Sequence, residues 1–294
     1  MRKVILRNGQ SPGDILTMTR AVADLKESYP DWKIDVRTPC GAIWENNPHL
    51  TPLKDGEAEM IDVGYDEINE CGWRQEHWTD AFRHDLEKKL KVKIKKTGIV
   101  PELWISDEEK SWYNQVHCDF NDDSPYWIIN AGRKQDNELK MYHRWQEVVD
   151  LFNDYFKGKV KLVQIGQDEH VHPPLKGVLD LRGKTDLRQL IRLVYNAKGS
   201  VGPLSLQFVM SAAFKQPAVL VAGGKEDVRW HLYPHIKHIY SNGSLPCCEW
   251  GGCWLGGEKG NCKNLVDGVP KCFQIIEPYQ IFDAIKSYYL GGRL

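Results

Sequence analysis

The chain has 294 residues, more than one hydrophobic core comfortably serves, so length alone favours two domains. Its 39 Lys and Arg against 40 Asp and Glu leave a formal charge of -1, which excludes a global field steering it toward nucleic acid or anionic lipid. With 41% hydrophobic residues and 11 Trp it can fill two cores, and any charged ligand must be held by a local site.

The first elements read strand, turn, helix, strand: Lys3–Arg7, then Ser11-Pro12-Gly13-Asp14, then an apolar-periodic helix over 15–29, then Lys33–Arg37. This βαβ unit predicts a parallel sheet with a right-handed crossover. Another strand is expected over 59–63, and the polar, aromatic-rich stretch 66–106 contains a helix at Trp78–Leu90. The run Asn121-Asp122-Asp123-Ser124-Pro125 reads as a linker. A second series follows, with strand Tyr126–Asn130, helix Trp145–Phe156, strand Lys161–Ile165, helix 187–195 capped by Thr185, strand 200–201, helix 205–214 and strand Ala218–Ala222. Residues 278–290 carry Ile281, Phe282, Ile285, Tyr288 and Tyr289 near helical spacing and read as a closing helix. The fold class is therefore α/β, with two successive series rather than one sheet: residues 1–123, 124–276, and 277–294 as the closing helix.

After Met1-Arg2-Lys3 the apolar run Val4-Ile5-Leu6 is too short for a signal peptide or a membrane span, which predicts a cytoplasmic protein. Five of the eight cysteines, Cys247, Cys248, Cys253, Cys262 and Cys272, crowd into a loop rich in glycine at 251, 252, 256, 257 and 260. Such clustering fits a tetrahedral four-cysteine metal site with one thiol to spare, the adjacent pair giving one ligand. Reduced buried cysteines or a disulfide is the alternative reading. A closed four-thiolate site leaves no open position for substrate, so its role would be structural.

The order of several short stretches resembles the ADP-heptose lipopolysaccharide heptosyltransferases of glycosyltransferase family 9. They are Gly13-Asp14-Ile15-Leu16, Leu25 to Pro30, Lys33-Ile34-Asp35-Val36 and Glu45-Asn46-Asn47-Pro48, then Asn130-Ala131-Gly132, Arg144-Trp145, Gln164-Ile165-Gly166, Asp180 to Thr185 and Ala212 to Pro217. The resemblance implies the GT-B architecture: two Rossmann-like lobes with parallel sheets, acceptor on the first, nucleotide sugar on the second, chemistry in the cleft. The closing helix is then expected to cross back to the N-terminal lobe. Two departures matter. The family's Asp-Thr/Ser-Gly followed by His is here Leu204-Ser205-Leu206 and then Val209, and its Lys before Trp is replaced by His143-Arg144. The family's donor residues are therefore not carried over wholesale. Autotransporter heptosyltransferases, relatives of the family, carry a cysteine-bound iron finger, so iron competes with zinc for the cysteine loop.

Sugar transfer needs a base for the acceptor hydroxyl and an electrostatic partner for the departing diphosphate. Asp14 stands at the carboxyl edge of the first strand beside Gly13, which lets an acceptor approach the backbone; it also resembles the family's proposed base, and its other reading is a helix N-cap. For the donor, Gly132-Arg133-Lys134 follows a strand, Arg144 opens a helix, and Ser205 stands where a helix N-terminus would favour an anion. Gly223-Gly224-Lys225 follows another strand and is expected to close over the nucleotide. No Asp-x-Asp pair stands at a strand end, which predicts catalysis without a metal. The acceptor that the resemblance leads one to expect is a lipopolysaccharide, polysaccharide or protein hydroxyl. Alternatives are a nucleic-acid base, with the basic run Lys88 to Lys96 tracking phosphates, and a non-catalytic nucleotide-binding relative.

Overall fold

Strand β1 (Lys3–Arg7) places Val4, Ile5 and Leu6 out of contact with water, the mark of a strand covered on both faces. It pairs in parallel with β2 (Lys33–Arg37) on one side and β3 (Glu59–Asp62) on the other, giving the order β2-β1-β3. Between β1 and β2 runs α1 (Pro12–Ser28), which starts with Pro at its first position, where the missing N–H costs nothing. Its buried residues include Ile15, Leu16, Met18, Val22 and Leu25, and it packs against α2 (Trp78–Leu90), whose N-cap His77 accepts from the Thr79 amide.

The computed structural model describes residues 2–64, 66–67, 70, 74–134, 140–254 and 262–290. Cys71 and the glycines at 256, 257 and 260 lie outside these residues. The chain forms two compact units, Met1–Ser111 with Arg229–Tyr233, and Trp112–Val228 with Pro234–Leu294. The division falls before the expected linker at 121–125. The reason is local: after the short α3 (Asp107–Ser111), α4 (Gln115–Phe120) packs on a helix of the second unit, and the Arg192 guanidinium lies 5.0 Å over the Trp112 ring.

Buried charge joins the helices of the first unit. Asp24 on α1 is 0% exposed and its carboxylate accepts from Arg83 Nε and Nη2 (2.9 and 2.7 Å), Arg20 Nε (2.9 Å) and Thr97 Oγ1 (2.6 Å). Arg83 also bonds Asp80, which Lys96 reaches at 2.8 Å.

The second unit is a six-stranded parallel sheet in the order β6-β5-β4-β7-β8-β9. Its strands are β4 (Tyr126–Asn130), β5 (Lys161–Ile165), β6 (Leu179–Asp180), β7 (Gly199–Gly202), β8 (Ala218–Ala222) and β9 (Ile236–Tyr240). Its helices are α5 (Trp145–Phe156), α6 (Leu187–Asn196), α7 (Leu206–Ala213), the short α8 (Lys271–Gln274) and α9 (Pro278–Lys286). The cap of α6 is Asp186 rather than Thr185. Its carboxylate accepts from the Gln189 amide at 2.7 Å while Gln189 Oε1 accepts from the Asp186 amide at 2.9 Å, a closed capping box.

The closing helix groups with the second unit. Helix α9 packs on α5, β8 and β9, with Ile281, Phe282 and Ile285 in the core cluster that holds Phe152 and Phe156. Burial of such side chains stabilises by roughly 2 kcal/mol apiece, and the adjacent apolar faces of α5 and the sheet offer that burial at once. Beyond the helix, Tyr288 donates to the carbonyls of Ala218 (3.0 Å) and His235 (2.9 Å). The segment Arg229–Tyr233 groups with the first unit. Among the described residues no helix is long and apolar enough to cross a membrane.

Candidate functional site

In the second sheet β4 lies between β5 and β7, so the strand order reverses beside it. Parallel α/β sheets hold ligands at the carboxyl ends of the strands at such a reversal. Asn130 ends β4 there. Its Nδ2 donates to Ser205 Oγ at 3.0 Å, and its Oδ1 accepts from the Gly132 amide at 3.1 Å. Ser205 Oγ also bonds Gln207. Gly202 at the end of β7 has no room for a side chain: a Cβ would stand 2.8 Å from the Asn130 carbonyl oxygen.

Ser205 occupies the N-cap position of α7 in extended conformation, yet its side chain makes no cap hydrogen bond, being held by Asn130 and Gln207. The helix terminus thus presents its first N–H groups and its positive dipole end without a capping oxygen of its own. This is the chemistry that receives phosphate.

Arg133 and Lys134 continue from Gly132 along the loop after β4. Arg133 exchanges backbone hydrogen bonds with Val171 (3.0 and 2.9 Å), while Lys134 is exposed. This bridge pins the loop after β5 across the ends of β4 and β5. Arg144 does not join the group. Its guanidinium donates to both Glu147 oxygens (2.7 and 2.8 Å) and to Glu277 (2.7 Å), so it braces α5 to the start of α9, and the two carboxylates hold its pKa above the ordinary arginine value.

Gly223, Gly224 and Lys225 follow β8 and pack against the cysteine segment. A Cβ on Gly223 would come 2.8 Å from Cys272 Sγ, and one on Gly224 would come 2.7 Å from Cys248 Sγ. These glycines let the backbone after β8 approach sulfur. Lys225 is buried, with Nζ 5.1 Å over the Trp254 ring. Gly224 and Lys225 form one wall of a cavity of about 20 Å³ that is also lined by Cys247, Cys248, Cys253, Cys262 and Cys272. That is space for about one water-sized particle.

None of the described cysteines is in a disulfide. Among the described residues no three His, Cys, Asp or Glu side chains are drawn together as a ready ligand group, so the five thiols share a cavity without converging on one point. Burial first, and then the neighbouring thiols of Cys272, Cys247, Cys262 and Cys248, push the Cys253 pKa up to about 12. Burial raises that of Cys272 as well, against an opposing hydrogen bond from the Gly224 backbone. A cation in the cavity would reverse both effects, because it stabilises thiolates that otherwise repel one another.

In the first unit Asp14 is 6% exposed and occupies the third position of α1; Ser11 is the N-cap. The N-cap reading of Asp14 is therefore replaced by a place in the first turn, where the helix dipole favours an ionised carboxylate. Gly13 precedes it, with its carbonyl accepting from Thr17 Oγ1 at 3.0 Å. Four of the six lysines in the basic run have local carboxylate partners, Lys88 with Glu67, Lys89 with Asp85, Lys93 with Glu87 and Lys96 with Asp80, while Lys91 and Lys95 are exposed.

No protein-family model matches the sequence, and neither does any curated protein. Solved structures do match. A family 9 glycosyl transferase from Veillonella parvula aligns with TM-score 0.71 at 14% identity, over 99% of this chain and 98% of that one. The iron-containing dodecameric glycosyltransferase TibC from enterotoxigenic E. coli aligns with TM-score 0.72 at 15% identity, over 98% of this chain and 76% of that one. The E. coli ADP-heptose heptosyltransferase II aligns with TM-score 0.63 at 15% identity, over 99% of each. The chain has the GT-B fold of these enzymes.

Proposed function

We propose that the chain transfers a sugar from a nucleotide diphosphate sugar to an acceptor hydroxyl, on a carbohydrate or a protein, without a catalytic metal. The observation that carries the reading is the α7 N-terminus at the strand reversal, where Ser205 is turned away from capping by Asn130 and Gln207 and Gly202 lets the end of β7 pack closely against Asn130. The helix N–H groups receive the diphosphate and Lys134 stands on the same loop edge, so developing charge on the leaving group is met by fixed dipoles and a cation. Asp14 takes the proton of the acceptor hydroxyl as general base. A relative of the same fold, TibC, has been solved in complex with ADP-D-beta-D-heptose, which supports a nucleotide sugar as donor. The test is a thermal-shift screen of nucleotide diphosphate sugars, followed by nucleoside diphosphate release. A ligand at 100 times its Kd stabilises the native state by about 2.7 kcal/mol, enough to raise melting by several degrees. Absence of any stabilisation across adenine, guanine, uracil and cytosine donors would sink the reading.

The cysteine cavity is part of the same proposal. Its volume and its five sulfurs would take a single ion of zinc or iron once thiols that do not yet converge draw together around it. Cys253, Cys262, Cys272 and one of the pair Cys247 and Cys248 would hold it, fixing the loop between β9 and α8. When bound, such an ion supplies cross-linking rather than chemistry. Freshly purified protein is expected to contain one equivalent of metal, with visible thiolate-to-iron absorption for iron and none for zinc, and to melt lower after chelation. Metal-free reduced protein whose melting is indifferent to chelators would remove the ion from the proposal.

A further inference from the structure

The first turn of α1 is fixed around the peptide that joins Gly13 to Asp14. The Asp14 amide donates to the Ser11 carbonyl at 3.0 Å, and the Gly13 carbonyl accepts from Thr17 Oγ1 at 3.0 Å, so both ends of that peptide are tied. Thr17 is buried, and its one hydroxyl proton goes to Gly13. A second hydroxyl bonds Thr17, that of Tyr233, from the segment that groups with the first unit. With the Thr17 proton already placed, Tyr233 is the donor in that bond. Burial holds the Tyr233 hydroxyl above the ordinary tyrosine range, so it keeps the proton it donates.

Aromatic packing sets the approach of Tyr233. Trp230 stacks on Trp78, the first residue of α2, and the Tyr233 ring meets His77, the N-cap of the same helix, edge to face. Helix α2 packs along α1 and Tyr233 is buried, so the ring has one seat and its hydroxyl one direction. Tyr233 bonds Thr17 and Thr17 bonds Gly13, a chain that ends on the peptide carrying the carboxylate. Thr17 stands three residues beyond Asp14, on the same face of the helix. Packing alone needs only the ring, and a phenylalanine would fill the same seat. The hydroxyl is the part that reaches the turn, where a displacement of about 1 Å at a reacting group costs up to about 100-fold in rate.

We propose that Tyr233 is a positioning residue for the general base: through Thr17 it fixes the Gly13–Asp14 peptide, and with it the aim of the Asp14 carboxylate at the acceptor hydroxyl. This rests on reading Asp14 as the base. The experiment compares Tyr233→Phe, Thr17→Ser, Asp14→Asn, and Asp14→Asn combined with Tyr233→Phe. Turnover is read as nucleoside diphosphate released, with water as acceptor, from the nucleotide sugar that stabilises the wild-type protein most. Tyr233→Phe is expected to lower kcat about 5- to 30-fold, with the donor KM unchanged to within about twofold and melting moved by a few degrees at most. Thr17→Ser keeps the hydroxyl chain and most of the activity. In the Asp14→Asn background Tyr233→Phe brings no further loss, because no base is left to aim. Wild-type turnover in Tyr233→Phe overturns the proposal. So does the same fold loss with and without the Asp14 carboxylate, which marks an effect on another part of the site, and so does a loss that comes with a large drop in melting, which assigns the hydroxyl to the fold. Full activity in Asp14→Asn is a separate failure, that of the base reading itself. Wild-type protein that releases no nucleoside diphosphate from any nucleotide sugar overturns the transferase reading before any variant is made.

Discussion

Asp14→Asn is expected to lower turnover by a factor on the order of 10² to 10⁴ while leaving donor affinity nearly unchanged. The substitution keeps the shape of the side chain in the first turn of α1 and removes only the ability to take a proton. Its structural cost is small. Ser11 rather than Asp14 is the N-cap, so no cap is lost, and the missing carboxylate charge near a helix N-terminus is worth about 0.3–1 kcal/mol. Stability and activity therefore separate cleanly: melting moves by a few degrees at most, and kcat falls with little change in KM for the donor. Full activity in the variant would return Asp14 to a purely structural place in the helix.

Arg83→Met is expected to destabilise the first unit by about 3–5 kcal/mol, because it leaves the carboxylate of fully buried Asp24 without its two-pronged partner. Arg20 and Thr97 still reach Asp24, which sets the loss at the lower end of that range. The double variant Asp24→Leu with Arg83→Met should cost less than the sum of the two singles, since neither charge is then stranded. Urea denaturation followed by Trp fluorescence measures all three; a loss below about 1 kcal/mol for Arg83→Met would show that the pair is dispensable. Acid acts on the same network. Burial raises the Asp80 pKa, but hydrogen bonds from Lys96 and Arg83 override it and hold the value below the ordinary one; Glu102 is held down likewise by His49 and Arg20. Groups with lowered folded pKa stabilise above their unfolded value of about 4, so this contribution fades as pH falls through the depressed values.

Local signals carried much of the architecture. The alternation of Val4-Ile5-Leu6, a Pro-Gly turn and an apolar-periodic helix made the first βαβ unit legible, and the same grammar repeated from Tyr126 onward. What escaped was of two kinds. Strand β9 is an edge strand of mixed polarity, Ile236-Lys237-His238-Ile239-Tyr240, without a buried run to announce it. The hairpin Leu265–Val266 with Val269–Pro270 did have a signal, since Asp267-Gly268 both adopt positive φ as a tight hairpin turn requires. The site was legible where one turn holds it, as at Asp14 or at Asn130 to Gly132. It was not where distant segments meet. That Gly223 and Gly224 bring the backbone against the sulfurs of Cys272 and Cys248 is not written in the loop's own residues. His172 sits in a stretch with ordinary loop composition, and only the fold brings its ring against Gly132 and Gly166.

The excursion of Arg229–Tyr233 into the first unit bears on how the protein is made. Trp230 is 2% exposed and stacks with Trp78 at 5.9 Å, while Tyr233 packs edge-on against His77 at 4.9 Å. A ribosome delivers Trp78 about 150 residues before these partners, so at 5 to 20 residues per second the nascent first unit waits on the order of ten seconds with part of its core unfilled. Its sheet and helices can assemble meanwhile, but the aromatic face of α2 near Trp78 stays uncovered until β8 has been translated. Chaperone capture during synthesis should therefore concentrate on that face, and its occupancy should drop once residue 233 clears the exit tunnel.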